Sequence, residues 1–140
     1  MEKFSINHND CYINESNNSH EICPMILVHK LISGKWKILI LWYLCKEPLR
    51  FSDLKRKLPN VTQKMLTNQL RSLEEDNLIY RKVYPVVPPK VEYGLTEVGE
   101  KIIPVLQAMH NYGEEYKEMR EWKNCGNNKK WKVKSYRKNS

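Results

Sequence analysis

The stretch Thr62-Gln63-Lys64-Met65-Leu66-Thr67-Asn68-Gln69-Leu70-Arg71-Ser72-Leu73-Glu74-Glu75-Asp76 separates into two faces at helical spacing. Leu66, Leu70 and Leu73 recur at i, i+4 and i+7 and form an apolar stripe. Lys64, Thr67, Asn68 and Arg71 recur at i, i+3, i+4 and i+7 on the other side. Thr62 is a capping residue, so a helix is predicted from Gln63 to about Asp76. The polar face is made of side chains that hydrogen-bond base edges and phosphates: Arg, Asn and Gln pair bidentately with guanine or adenine, and Lys contacts phosphate. Its acids, Glu74, Glu75 and Asp76, are confined to the far end. They leave clear the N-terminal half, which is the half a DNA-reading helix inserts. A merely solvated amphipathic face would look the same, so the neighbouring segments decide.

Downstream, Ile79–Tyr84 and residues 91–95 alternate and are rich in Val and Tyr, which predicts two strands. The stiff loop Pro85-Val86-Val87-Pro88-Pro89-Lys90 joins them, flanked by Arg81, Lys82 and Lys90. Upstream, Ser52 is placed to cap a short helix over 53–58, ended by Pro59. Two short helices followed by two strands closing on a basic loop make a helix-turn-helix with a wing. The expected class is therefore mostly α with a small β-wing.

The segments further out point to assembly. Pro24 suits a first helical turn, with Cys23 at the cap and residues 25–32 continuing to Ser33-Gly34. Residues 35–45 are apolar on nearly all sides, as in a buried central helix. Thr96 caps a long helix whose apolar residues Val98, Ile102, Val105, Met109, Tyr112 and Tyr116 step by 4, 3, 4, 3 and 4, the seam of a helix that pairs with a partner. Pro104 is expected to kink or interrupt it. A homodimer interface is expected from Met25, Val28, Val105, Met109, Tyr112 and Tyr116.

Composition bounds the function. The chain has 140 residues, room for one domain with tails, and 24 Lys+Arg against 16 Asp+Glu give a net charge of +8. That balance favours a polyanion, nucleic acid ahead of membrane. Residues 1–24 carry one Lys against four acids, and residues 117–140 nine basic residues against two acids. The organisation read from this is a flexible arm over 1–22, a folded unit over 23–121 and a basic tail over 122–140. The longest uncharged apolar run covers 38–44, against roughly twenty residues for a membrane span. With no basic-then-apolar leader either, the expected location is cytoplasmic, with no membrane partner. Cys11, Cys23, Cys45 and Cys125 form no CxxC, so no metal and no cofactor are expected. No Gly-rich phosphate loop, HExxH or GxSxG is present, and the four His are scattered, so the protein is not expected to be an enzyme.

The blocks Cys23-Pro24, Gly34-Lys35-Trp36, Leu49-Arg50-Phe51-Ser52-Asp53-Leu54, Thr62 to Glu74, Asn77-Leu78-Ile79 and Val87-Pro88-Pro89-Lys90-Val91-Glu92-Tyr93-Gly94-Leu95-Thr96 together closely resemble the HxlR-type winged helix-turn-helix regulators, which are related to the MarR group. The resemblance runs in unbroken order over the folded unit. It departs at Asn77, where the family usually has Gly; Asn also tolerates a left-handed C-cap. The resemblance implies a homodimeric, bacterial, cytosolic transcription regulator, with repression its expected action. It implies a recognition helix bearing Thr62, Gln63, Lys64, Thr67, Asn68 and Arg71, and a wing bearing Arg81, Lys82 and Lys90. The DNA partner would be double-stranded and pseudo-palindromic, with half-sites about one turn, ~10 bp, or a multiple apart. Cys23 matches a position where some members sense electrophiles or oxidants, and a helix N-terminus favours thiolate. His20 and Lys30 are nearby cationic candidates, and a small-molecule or electrophile effector fits the same resemblance. The rival reading is a non-specific RNA-binding or nucleoid-associated protein acting through its Lys-rich tail. Steep salt dependence without sequence preference would mark that rival.

Overall fold

The computed structural model describes residues 23–119. The arm over 1–22 and the tail over 122–140, with Cys11, His20 and Cys125, lie outside the described residues. Two compact units are present, the first ending at Glu100 and the second beginning at Lys101, a division not marked in the sequence pattern. The first unit runs α1 (Pro24–Ile32), α2 (Lys37–Leu44), β1 (Leu49–Arg50), α3 (Phe51–Lys57), α4 (Gln63–Glu75), β2 (Ile79–Tyr84), β3 (Lys90–Leu95) and α5 (Glu97–Glu100). The second contains α6 (Ile103–Met119).

Pro24 opens α1, where its missing N–H costs nothing. Gly34, at φ 123°, then turns the chain into α2 through backbone space that only glycine enters cheaply. Ile40, Leu41 and Leu44 of α2 are buried. They share the core with Leu54, Leu58, Leu66, Leu70, Leu73 and Ile79. Burying each such side chain contributes about 1.5–3 kcal/mol, so the leucine stripe is what seats α4. The expectation that α2 is buried on nearly all sides is corrected: Leu39 is exposed, whereas Lys37 is buried.

Ser52 does not cap α3. The strand β1 runs straight into the helix, so Arg50, extended at ψ 157°, becomes the N-cap and Ser52 lies inside the first turn. That two-residue strand was not predicted. It pairs Leu49 with Tyr93 and Arg50 with Glu92, giving an antiparallel sheet of order β1-β3-β2.

Asn77 takes φ 57° and closes α4 in the left-handed C-cap expected of it. The Leu78 N–H donates to the Leu73 carbonyl and the Asn77 N–H to the Glu74 carbonyl, both at 3.0 Å. Thr96 locks this turn to the end of β3. Its N–H donates to the Leu78 carbonyl, and its hydroxyl donates to the Asn77 carbonyl at 2.6 Å and accepts from the Gly99 N–H at 2.9 Å.

The long helix expected after Thr96 is interrupted near Pro104, as expected, and forms two helices, α5 and α6. Pro104 cannot donate to the preceding turn and crowds it, so the chain breaks at Lys101-Ile102 and Pro104 falls in the first turn of α6. Val98 is thereby separated from the rest of the stripe. Among the described residues no helix is long and apolar enough to cross a membrane, and no cluster of His, Cys, Asp or Glu could hold a metal ion.

Candidate nucleic-acid interface

The polar face of α4 stands out from the protein. Thr62 caps the helix, its hydroxyl accepting from the Met65 N–H at 3.1 Å. Lys64, Asn68 and Arg71 are exposed opposite the buried Leu66, Leu70 and Leu73, and Gln63 is exposed in the first turn. No acid lies in the first turn, where the helix dipole already favours an anion. Thr67 is half-buried, and its hydroxyl hydrogen goes to the Gln63 carbonyl at 2.8 Å. Its oxygen lone pairs remain as acceptors. Met65 is exposed beside Lys64, an apolar side chain suited to a thymine methyl that charge and hydrogen-bonding patterns did not pick out.

The wing divides residues that the sequence grouped together. Cross-strand partners share a face of the sheet. Lys82 pairs with Glu92 and Tyr84 with Lys90, so both lysines and Tyr84 lie on one face. Arg81 pairs with Tyr93 and lies on the other. Lys82 and Lys90 both lie over the Tyr84 ring, at 4.8 and 4.9 Å from its centroid, and Lys90 Nζ is 3.6 Å from Glu92. The loop tip between the strands carries no charge until Lys90.

A further basic group escaped the sequence reading, although the run Lys55-Arg56-Lys57 was visible in it. It forms the last turn of α3, the helix that precedes α4. Arg56 is paired with Asp53. Lys57 Nζ lies 5.5 Å from the Tyr43 ring centroid. Lys55 is exposed.

Cys23 is the N-cap of α1 and is only 8% exposed. Lys30, its cationic candidate, sits in the last turn of α1. Seven residues of helix separate their backbones by about 10 Å along the axis. Cys45 follows α2, its thiol donating to the Leu41 carbonyl at 3.2 Å, and burial pushes this thiol's pKa up. Of the proposed dimer residues, Met25 and Val28 are exposed on α1, which buries none of its side chains. Val105, Met109 and Tyr112 are exposed on α6. Tyr116 is half-buried, its ring centroid 6.2 Å from that of Tyr112.

A capped helix with an outward polar face, a short basic helix before it and a two-stranded hairpin after it make a winged helix-turn-helix. The model of one family, HxlR-like helix-turn-helix, matches residues 31–121. The chain belongs to the HxlR-like helix-turn-helix family. YdeP of Bacillus subtilis (strain 168), an HTH-type transcriptional regulator, is 45% identical to this HxlR-like chain over 106 residues, covering 76% of it and 83% of YdeP. Among solved structures, the redox regulator HypR in its reduced form is similar with a TM-score of 0.66 and 41% identity, over 69% of this chain and 95% of that one. The diamide-treated YodB of B. subtilis is similar with a TM-score of 0.58 and 35% identity, over 69% and 97% of the two chains.

Proposed function

We propose that this HxlR-like protein is a sequence-specific DNA-binding transcription regulator that acts as a homodimer in the cytoplasm and represses by covering its operator. The observation that carries the proposal is the exposed row Lys64, Asn68 and Arg71, with Gln63 exposed in the first turn, on a helix seated by three buried leucines. In this reading α4 enters the major groove, and Lys82 and Lys90 meet the flanking backbone. Lys55 of α3 adds a phosphate contact, as first helices of this motif cross the backbone.

Arg71→Ala and Asn68→Ala test the groove contact. Both side chains are exposed, so stability should change little. Each variant should lose ~1–3 kcal/mol of binding to a preferred duplex, with relaxed sequence preference, in fluorescence anisotropy titrations. Unchanged affinity for both variants would remove α4 from the groove.

The wing should act through charge. Replacing Lys82 and Lys90 together by Gln should weaken binding to all sequences alike and lower the log–log salt slope by ~1 per lost phosphate contact. Loss confined to one sequence at an unchanged slope would mean base reading by the wing instead.

Cys23 is proposed as the site where a thiol-reactive effector acts. It caps the start of α1, an element of the proposed dimer interface, and HypR and YodB are similar proteins with redox forms. Diamide should then change DNA affinity, reversibly with added thiol. Cys23→Ser should bind DNA and ignore diamide. Cys45→Ser should still respond, because burial pushes the Cys45 thiol's pKa up, away from the reactive form. A diamide response retained in Cys23→Ser would reduce Cys23 to a helix cap.

A further inference from the structure

Among the described residues of the first unit Lys37 is the buried charged residue, 7% exposed at the start of α2. Its Nζ donates to Ser72 Oγ of α4 at 2.6 Å, across 35 positions of sequence. Among the described residues no carboxylate pairs with it, as the ion pairs lie at other residues. Burying a cation on a hydroxyl alone is costly, and a methionine would fill similar space at less cost. Stability therefore does not account for it. We propose that Lys37 is a positioning residue for DNA reading, its hydrogen bond to Ser72 setting the rotation of α4 about its own axis. This rests on the groove reading proposed above.

The leucine stripe fixes how deeply α4 sits, but apolar contact is non-directional. Ser72 lies off that stripe, four residues after Asn68 and next to Arg71. The same turn meets α4 at a second point. A β-carbon on Gly34 would stand 2.6 Å from Gln69 Oε1, one turn before Ser72. That oxygen is buried without a hydrogen-bond partner among the described residues, so the contact is steric. The Lys37–Ser72 bond is the directional restraint. A rotation of about 10° would move a side chain standing ~6 Å from the helix axis by about 1 Å. That is enough to break the 2.7–3.2 Å geometry of a base contact, whereas long lysines on phosphates absorb it. The expected signature is loss of sequence preference with little loss of general DNA affinity.

The test uses the full chain and a duplex that the wild type selects from random-sequence DNA, compared with the same duplex scrambled, by anisotropy at fixed salt. Ser72→Ala and Lys37→Met should each lower the selected-to-scrambled affinity ratio about tenfold. The double variant should be no worse than the worse single, and Ser72→Thr should keep the ratio within about twofold. Ser72→Ala changes no charge and keeps the scaffold should Lys37→Met fail to fold; its affinity for the scrambled duplex and its salt slope should match wild type. In the free protein its α4 amides should exchange faster, and the melting temperature should fall by several degrees because Lys37 Nζ loses its partner. A wild-type ratio in folded Ser72→Ala, a parallel fall on both duplexes, or unchanged α4 exchange would each overturn the proposal. If the wild type selects no duplex, the groove reading fails, and α4 exchange alone then judges whether Lys37 positions the helix.

Discussion

Gly99→Ala is expected to lower the melting temperature by roughly 10–20 °C. Gly99 is buried in α5, and a β-carbon there would stand inside the contact shell of the Leu78 carbonyl oxygen. The obstructing atom belongs to the backbone, so no side-chain rotation relieves it. The same oxygen accepts from the Thr96 N–H, in the junction that joins the end of α4 to the end of β3. Moving it loosens the turn that closes α4. Alanine regains up to about 1 kcal/mol of helix propensity over glycine. Overpacking against fixed backbone costs more, leaving a net loss of about 2–4 kcal/mol. A small domain shifts by ~4–8 °C per kcal/mol. Circular dichroism melts would check this, and a shift of only a few degrees would mean that the approach of α5 to Leu78 is loose.

Met109→Asp and Tyr112→Asp should yield monomers that lose most operator affinity. Both side chains are exposed within the chain, Tyr112 by 64%, so a carboxylate there leaves the fold itself unharmed. In a seam between two copies the same carboxylate would be desolvated without a partner, which apolar packing cannot offset. A monomer engages one half-site and forgoes the effective concentration that links the two. The expected loss is about 10²–10⁴-fold. Sedimentation velocity reads the assembly and anisotropy the affinity. Dimers of wild-type affinity in both variants would remove α6 from the interface.

The helix α4 was legible because its signals agree. Thr62 caps it, the leucines set its period and Asn77 supplies the left-handed exit. The strands were legible from their Val and Tyr content on either side of a proline-rich loop, although burial does not alternate along them. The strand β1 was not, since two residues carry no period and pair only because β3 passes beside them. The start of α3 was misplaced because tertiary pairing of Arg50 outranked the local capping preference of Ser52. Lys37 read as one charge in an apolar run; its burial depends on Ser72, which only folding brings near. The opposed faces of Arg81 and Lys82 were implicit in strand periodicity, because neighbours in a strand point to opposite sides. Grouping them by charge obscured it. The break before α6 was half-legible: Pro104 marked it, but the 4-3 spacing runs through it unchanged.

The most direct test of the account is selection of random-sequence duplex DNA by the full-length wild type, followed by sequencing of the bound fraction. A winged-helix dimer reading through α4 should enrich a pseudo-palindromic consensus, with half-sites about one helical turn, ~10 bp, or a multiple apart. Binding that enriches no consensus and falls steeply with salt for every duplex would contradict it.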